Sequence, residues 1–325
     1  MKSAGEVDIE PYSTSAVLRQ PWDIIHIYWA EWMINRRGSF AQAMGDALRV
    51  LAELQLAKKR GAKIVWTANN IRPHESDNLI LVNLLISAIT MLADQVICPS
   101  QTVLDQFQFE YPAIVGLDQR VIPIGSYRGI YPDEQRSPGQ AREILGLPGD
   151  ARIALVFGMV RPYKNIPNLL CCYERVIEKR DDTFLLIAGN PLNEQIADEI
   201  QGSCARLRNV RADLRHIADE EIQDYVRASN CLAIATSFAV TSGSALLGLS
   251  FDRPVLMPHR GAAIEIRDNV GAQWLHTYEG GIRPKVLDSA FDIDQPEGRP
   301  LLEEFYDWTR AGHEYYRAYM YITGG

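Results

Sequence analysis

The sequence predicts an α/β protein made of two Rossmann-like domains, each a parallel sheet with helices on both faces. Three observations carry that prediction. Short runs rich in valine, isoleucine and leucine alternate with longer helical patterns, which is the signature of right-handed βαβ units. The series occurs twice, and between the two lies a segment at 131–150 rich in proline, glycine and charge, the natural place for a linker. The 325 residues are enough for two domains that each bury a core.

In order along the chain, 23–28 is expected as a strand, 40–59 as a helix, 63–67 as a strand and 79–93 as a helix. A strand at 95–98, a helix from 102 to about 109 and a strand at 120–124 complete the first series. The second opens with the strongest strand pattern, 153–157, and continues with helix 166–179, strand 183–188 and helix 193–205. Strand 210–214, helix 219–228, strand 231–235, a helix after Gly243 and strand 254–257 follow. The tail at 301–320 carries Phe305, Trp308, Tyr315, Tyr316 and Tyr319 at helical spacing, so that stripe should pack on protein. The expected domains are 1–134, binding an acceptor, and 135–325, including the C-terminal helix.

A hydrophobic fraction of 47% and a charged fraction of 23% belong to a folded chain. A net charge of −8 argues against a nucleic-acid binder, and the basic clusters at Arg36–Arg37 and at Lys58, Lys59, Arg60 and Lys63 read as solvated helix ends. Five cysteines with no CxxC spacing suggest neither a zinc site nor a disulfide framework, which points to a reducing cytoplasm. No secretory leader is expected. The apolar run at 79–93 is shorter than the roughly 18–20 residues that span a bilayer, and reads as a buried helix, with an interfacial or dimer contact as the alternative.

In open α/β sheets the ligand lies beyond the carboxyl ends of the strands. The run T-S-G-S-A-L-L-G-L-S-F-D-R-P-V at 241–255 follows a short apolar strand and opens a helix with small residues, so Thr241, Ser242, Gly243 and Ser244 can offer backbone N–H groups to an anion. An ordinary capped core helix is the competing reading. After the strand ending at Phe157, G-M-V-R-P-Y-K-N offers Gly158 for close approach and the cations Arg161 and Lys164 for a diphosphate. Gly189 and Asn190 follow the next strand, and His216 and Ile217 precede the helix that opens D-E-E-I. No GxGxxG follows any strand, which disfavours a nicotinamide dehydrogenase.

Taken together, F-G-x-x-R-P-x-K, L-L-I-A-G-N-P, I-A-D-E-E-I-x-x-Y and the 241–255 run resemble, in order, the donor domain of GT-B glycosyltransferases. They are similar in particular to the group-1 family that includes bacterial exopolysaccharide sugar transferases. In the first half, D-I-I-H-I-Y-W-A-E at 23–31 and W-T-A-N-N-I-R-P-H-E at 66–75 resemble that family's acceptor-side segments. The resemblance implies two domains facing a central cleft, with a C-terminal helix packing back across the lobes. It places His26, Trp29, Glu31 and Asn70 on the acceptor side, with His74, Glu75 and Asp77 as catalytic candidates. A lone strand-end histidine such as His26 is more often structural. Gly189, Asn190, His216 and Ile217 would meet the nucleoside or sugar.

The sequence also departs from the family. Two glutamates that many relatives carry around the phosphate-binding helix correspond to Ala239 and Leu247, the arginine after the first glycine to Met159, and the histidine of T-x-H-N to Asn69. Glu265, in G-A-A-I-E-I-R-D-N-V-G, can replace the missing pair or serve only as a helix-start carboxylate. About twenty residues precede the first strand, so the first sheet is expected to lack a member, leaving that lobe open or dimeric.

The implied function is transfer of a sugar from a nucleoside-diphosphate sugar to a glycan or lipid-linked acceptor in polysaccharide or glycoconjugate synthesis. No cofactor or metal is expected, since no D-x-D motif is present and cations with a helix dipole can hold the leaving diphosphate. The expected setting is cytoplasmic, at the inner face of the membrane through peripheral contact, with self-association or a partner transferase and no nucleic acid. The rival readings are a catalytically silent nucleotide- or glycan-binding subunit and a sugar-nucleotide epimerase.

Overall fold

The computed structural model describes residues 7–34, 38–69, 78–236 and 243–324. The chain divides into two compact units, one made of Met1–Gly125 and Tyr306–Gly325, the other of Ser126–Phe305.

In the first unit α1 (Thr14–Arg19) starts where the Ser13 hydroxyl accepts from the Ala16 N–H. It is followed by β1 (Ile24–Ile27), α2 (Phe40–Lys59), β2 (Lys63–Thr67) and α3 (Leu79–Leu92). Then come β3 (Gln95–Cys98), α4 (Gln101–Glu110) and β4 (Asp118–Val121), this last strand two residues ahead of its expected start. The S-x-x-Q at 39–42 forms a reciprocal capping box that fixes the start of α2. The strands are all parallel and in the order β1-β2-β3-β4. Successive right-handed crossovers between neighbouring strands put α2, α3 and α4 on one face. The expectation that 79–93 is buried holds for half of α3. Leu81, Val82, Leu85, Ile86 and Ile89 are buried, whereas Ile80, Leu84 and Met91 are exposed.

The second unit begins at Ser126, ahead of the segment expected to be a linker, and that segment folds as part of it. Ser137 and Gln140 form a capping box, Pro138 occupies the first turn, and Gly146 closes the helix at φ 62°, so 138–145 folds as α5 (Pro138–Leu145). Helix punctuation therefore accounts for its proline and glycine, and the boundary expected at 134/135 falls at 125/126. There follow β5 (Arg152–Phe157), α6 (Ile166–Ile177), β6 (Thr183–Ala188), α7 (Glu194–Cys204) and β7 (Val210–Asp213). Next are α8 (Asp219–Ala228), β8 (Cys231–Ala233), α9 (Gly243–Ser250) and β9 (Val255–Pro258). The unit ends with α10 (Ala262–Val270), β10 (Leu275–Tyr278), α11 (Pro284–Phe291) and α12 (Leu302–Phe305). All six strands are parallel, in the order β10-β9-β8-β5-β6-β7. Leu169, Tyr173, Leu185, Ile187 and Phe291 bury together in its core.

The last helix, α13 (Trp308–Thr323), is capped by the Asp307 carboxylate, which accepts from the Arg310 N–H. Its inner stripe, Ala311, Ala318 and Tyr319, buries with Val65, Ile97 and Ile122 of the first unit. Gly125 lies so close that a Cβ there would sit 2.3 Å from the Trp308 ring. The aromatic tail thus packs on protein, and it belongs to the first unit, not to the domain assigned at 135–325.

Candidate active site

In the second sheet the chain runs outward from β5 through β6 and β7, then returns to β8 on the other side of β5. The strand order reverses between β5 and β8, so a crevice opens at their carboxyl ends. A cavity of about 100 Å³ lies there, lined by Phe157, Tyr163, Lys164, Thr236, Gly243 and Ser244 over an apolar floor that includes Leu155, Leu232 and Ala233.

The loop after β5 builds one wall. Gly158 takes φ 99°, a conformation open to glycine, and a Cβ there would lie 3.1 Å from Lys164 Nζ and 3.6 Å from Ser244 Oγ. A short 3-10 turn, Pro162–Lys164, then folds Lys164 back so that Nζ donates to the Phe157 carbonyl at 2.6 Å. Ser244 Oγ donates to the same carbonyl at 3.4 Å, so the first turn of α9 and the Lys164 ammonium sit side by side. Lys164 has no carboxylate partner among the described residues. Burial, and secondarily the Arg161 charge, pull its pKa down from the usual 10.5 to about 8. A desolvated ammonium beside a helix start is an anion-binding arrangement.

The loop after β6 builds against the first. Gly189 takes φ 147°, and a Cβ there would lie 2.1 Å from the Gly158 carbonyl oxygen. The Gly158 N–H donates to Ala188 O, the Val160 N–H to Asn190 O and the Leu192 N–H back to Val160 O. On the opposite side Tyr127 reaches the start of α9, its hydroxyl 2.9 Å from where a Gly243 Cβ would be, and its ring stacks on Tyr131. Thr236 is buried with a hydroxyl that has no hydrogen-bond partner among the described residues.

No family model matches the chain. Over 319 residues it is 28% identical to the GDP-mannose:glycolipid 4-beta-D-mannosyltransferase of Xanthomonas campestris pv. campestris, covering 96% of this chain and 84% of that one. The sucrose-phosphate synthase of Thermosynechococcus elongatus superposes with a TM-score of 0.70 at 16% identity, covering 93% of this chain and 74% of that one. Anabaena HepE, solved with UDP and glucose, gives 0.65 at 14% identity over 91% and 77%. The chain is a glycosyltransferase of the GT-B fold. The crevice at the topological switch of β5 and β8 is the place where the sequence resemblance puts the donor.

Of the donor-side residues expected from sequence, the structure gathers Gly158, Lys164, Gly243 and Ser244 around one cavity, with Gly189 and Asn190 in the adjoining loop. Arg161 stands three residues before Lys164 and is close enough to lower its pKa. His216 and Ile217 lie two strands away on the same edge, where Arg215 pairs with Glu221 at 2.5 Å and donates to the His216 carbonyl. His216 is exposed and Ile217 buried. Glu265 is half-buried in the first turn of α10. Thr241, Ser242 and Ala239 lie outside the described residues. Met159 is exposed and makes no approach to the cavity lining, while Leu247 is buried in α9 as an apolar core residue. Tyr127 and Thr236 were not anticipated: Tyr127 arrives from over a hundred residues upstream of α9, and Thr236 stands one residue past the expected strand.

In the first unit His74, Glu75, Asp77 and Asn70 lie outside the described residues. His26 is engaged on both ring nitrogens, with Tyr319 Oη 2.6 Å from Nδ1 and Thr67 Oγ1 2.7 Å from Nε2. A neutral ring, one nitrogen donating and one accepting, satisfies both hydroxyls, and burial lowers its pKa from 6.5 to about 4. His26 therefore joins β1, β2 and α13 as a structural residue. Trp29 is 41% exposed, Glu31 is buried in the turn Ala30–Trp32, and Asn69 is buried after β2 with its amide donating to Tyr28 O at 3.5 Å.

Proposed function

We propose that this glycosyltransferase moves a mannosyl group from GDP-mannose to the sugar of a lipid-linked acceptor, at the cytoplasmic face of the membrane. The observation that carries the reading is Lys164, a half-buried ammonium with no carboxylate partner among the described residues, set between Gly158 and the start of α9 at the topological switch. A nucleoside diphosphate supplies the charge this site lacks. As the glycosidic bond breaks, negative charge grows on the departing phosphate, and a preorganised ammonium with helix-start N–H groups stabilises it more than the ground state. Arg161 adds a second cation, and neither a metal nor a cofactor is needed for that work. The choice of GDP-mannose and of a glycolipid follows the similarity, along almost the whole chain, to an enzyme named for both. If transfer inverts the anomeric centre, His74, Glu75 or Asp77 is the base for the acceptor hydroxyl.

Among the described residues no helix is long and apolar enough to cross a membrane, which suits a peripheral enzyme working on an anchored substrate. The test is calorimetry with GDP, UDP and ADP followed by transfer assays with the matching donors and a lipid-linked oligosaccharide. GDP binding with acceptor-dependent GDP release supports the proposal. Tighter binding of UDP or ADP refutes the donor assignment, GDP binding without release returns the silent-subunit reading, and a new sugar nucleotide formed without acceptor returns the epimerase.

A further inference from the structure

We infer that the outer surface of α2, α3 and the short turn Pro112–Gly116 is a docking face for an anionic lipid bilayer. A helix at the surface of a folded protein ordinarily turns charge toward water. In contrast, α3 reads L-I-L-V-N-L-L-I-S-A-I-T-M-L, with no charge on either side. Its inner face is spent on the core, and its outer face leaves Ile80 73%, Leu84 59% and Met91 79% exposed. The turn Pro112–Gly116 packs against α3 and adds Val115, 60% exposed, while α2 on the other flank adds Leu48, 61% exposed.

The occupant is fixed by charge. Although the chain has a net charge of −8, no fully exposed position of α2, α3 or the turn is a carboxylate. The exposed charged residues there are Arg49, which pairs with Asp46 and Glu53 along α2, and Lys59, followed by the exposed Arg60 that closes the helix. Lys58 Nζ donates to the Leu92 carbonyl, so this basic end of α2 lies beside the end of α3. An apolar strip bordered by cations, whose nearby carboxylates Asp46, Glu53 and Asp94 are only partly exposed or buried and pair with Arg49 and Lys58, matches the acyl and headgroup layers of an anionic leaflet. At 14 residues α3 is too short to span the bilayer and suits lying in its surface. The inference rests on the proposed lipid-linked acceptor, which gives such a face its use.

The experiment is co-sedimentation of the full chain with vesicles rich in phosphatidylglycerol and with vesicles of phosphatidylcholine alone, without donor or acceptor. The wild type should bind the anionic vesicles preferentially and lose much of that preference in high salt. The pair Ile80→Glu and Leu84→Glu should lower the partition coefficient by on the order of 100-fold. Lys59→Glu with Arg60→Glu should lower it by about fivefold or more per residue. GDP affinity, measured in the same variants, should stay at the wild-type value and so certifies their folding. Wild-type vesicle binding in both pairs overturns the inference, as does a wild type that ignores vesicles or forms a dimer broken by Leu84→Glu. Vesicle binding that survives while glycolipid transfer is absent sinks the acceptor reading and leaves the face standing.

Discussion

Replacing Lys164 with methionine keeps the length of the side chain and deletes its charge, and the structure gives that change two opposite consequences. In the free protein the ammonium is held where burial, and then Arg161, lower its pKa from 10.5 to about 8. At about 1.36 kcal/mol per pH unit, this corresponds to roughly 3 kcal/mol of folded-state destabilisation. The sign is fixed by linkage. A lysine with a lowered folded pKa destabilises the fold fully below pH 8, and the penalty fades as pH rises from 8 to 10.5. At pH 7 the methionine variant escapes that cost and loses one hydrogen bond to the Phe157 carbonyl, worth about 1 kcal/mol. The net gain is about 2 kcal/mol, a rise of roughly 4–8 °C in the unfolding midpoint of the second unit.

Binding should move the other way. A diphosphate that pairs with Lys164 restores its ordinary pKa, so GDP affinity of the wild type is level below pH 8 and falls by up to about tenfold per pH unit above it. The methionine variant should lose on the order of 10²- to 10³-fold in turnover and show no such pH dependence. Differential scanning fluorimetry and calorimetry at pH 7, 9 and 10 check both halves. A variant that melts lower and binds GDP as tightly as the wild type, with the same pH profile, would refute the assignment of Lys164 to the diphosphate.

His26, with its folded pKa lowered from 6.5 to about 4, contributes stability that is fully present above pH 6.5 and lost as pH falls toward 4. About 2 kcal/mol should be gone at pH 5, and His26→Phe should flatten that slope in urea melts. Gly189→Ala puts a methyl 2.1 Å from the Gly158 oxygen at φ 147°, so a loss of about 1–3 kcal/mol and a sharp fall in GDP affinity are expected; an unchanged midpoint rules out the packed loops. Thr236→Val removes the unpartnered hydroxyl from the cavity wall. Its stability should hold within about 0.5 kcal/mol while GDP-mannose affinity falls roughly 2- to 10-fold, and equal affinity removes Thr236 from the site. Glu265→Gln should leave GDP affinity intact and slow transfer from GDP-mannose, whereas parallel losses in both would make it a structural carboxylate.

The parts of this fold that are legible in the sequence are those set by neighbours in the chain. The S-x-x-Q at 39–42 and the apolar period of 40–59 fix α2 within its own length, and the same local grammar would have revealed α5 had Pro138 and Gly146 been taken as a start and a stop. Whatever depends on distant pairing is hidden. The stripe of Tyr315 and Tyr319 announces a buried face but not which unit it covers, and the partner of Tyr319 is His26, 293 residues away. That Gly158, Lys164, Gly189, Gly243 and Ser244 gather was readable because β5, β6 and β8 each deliver their loop to one sheet edge, a rule of topology that brings strand ends together. Tyr127 belongs to no such loop, and only the packing against Gly243 brings it there.

The same rule bears on how a glycosyltransferase can work without the carboxylates its resemblance leads one to expect. Leu247 points into the core of α9 among other buried apolar residues, so no hydroxyl-binding group is available at that position. The neighbouring strand offers a replacement. β9 pairs in parallel with β8, so their carboxyl ends lie side by side, and Gly261 at φ 55° turns the chain directly into α10. Glu265 stands in the first turn of that helix, half-buried on the edge that carries the start of α9. Under the proposed function, anion binding and sugar recognition fall to different loops: Lys164 with α9 for the diphosphate, and α10 for the hydroxyls. On that reading the division explains why no described carboxylate pairs with Lys164, whose ammonium would be compensated by the diphosphate of the donor.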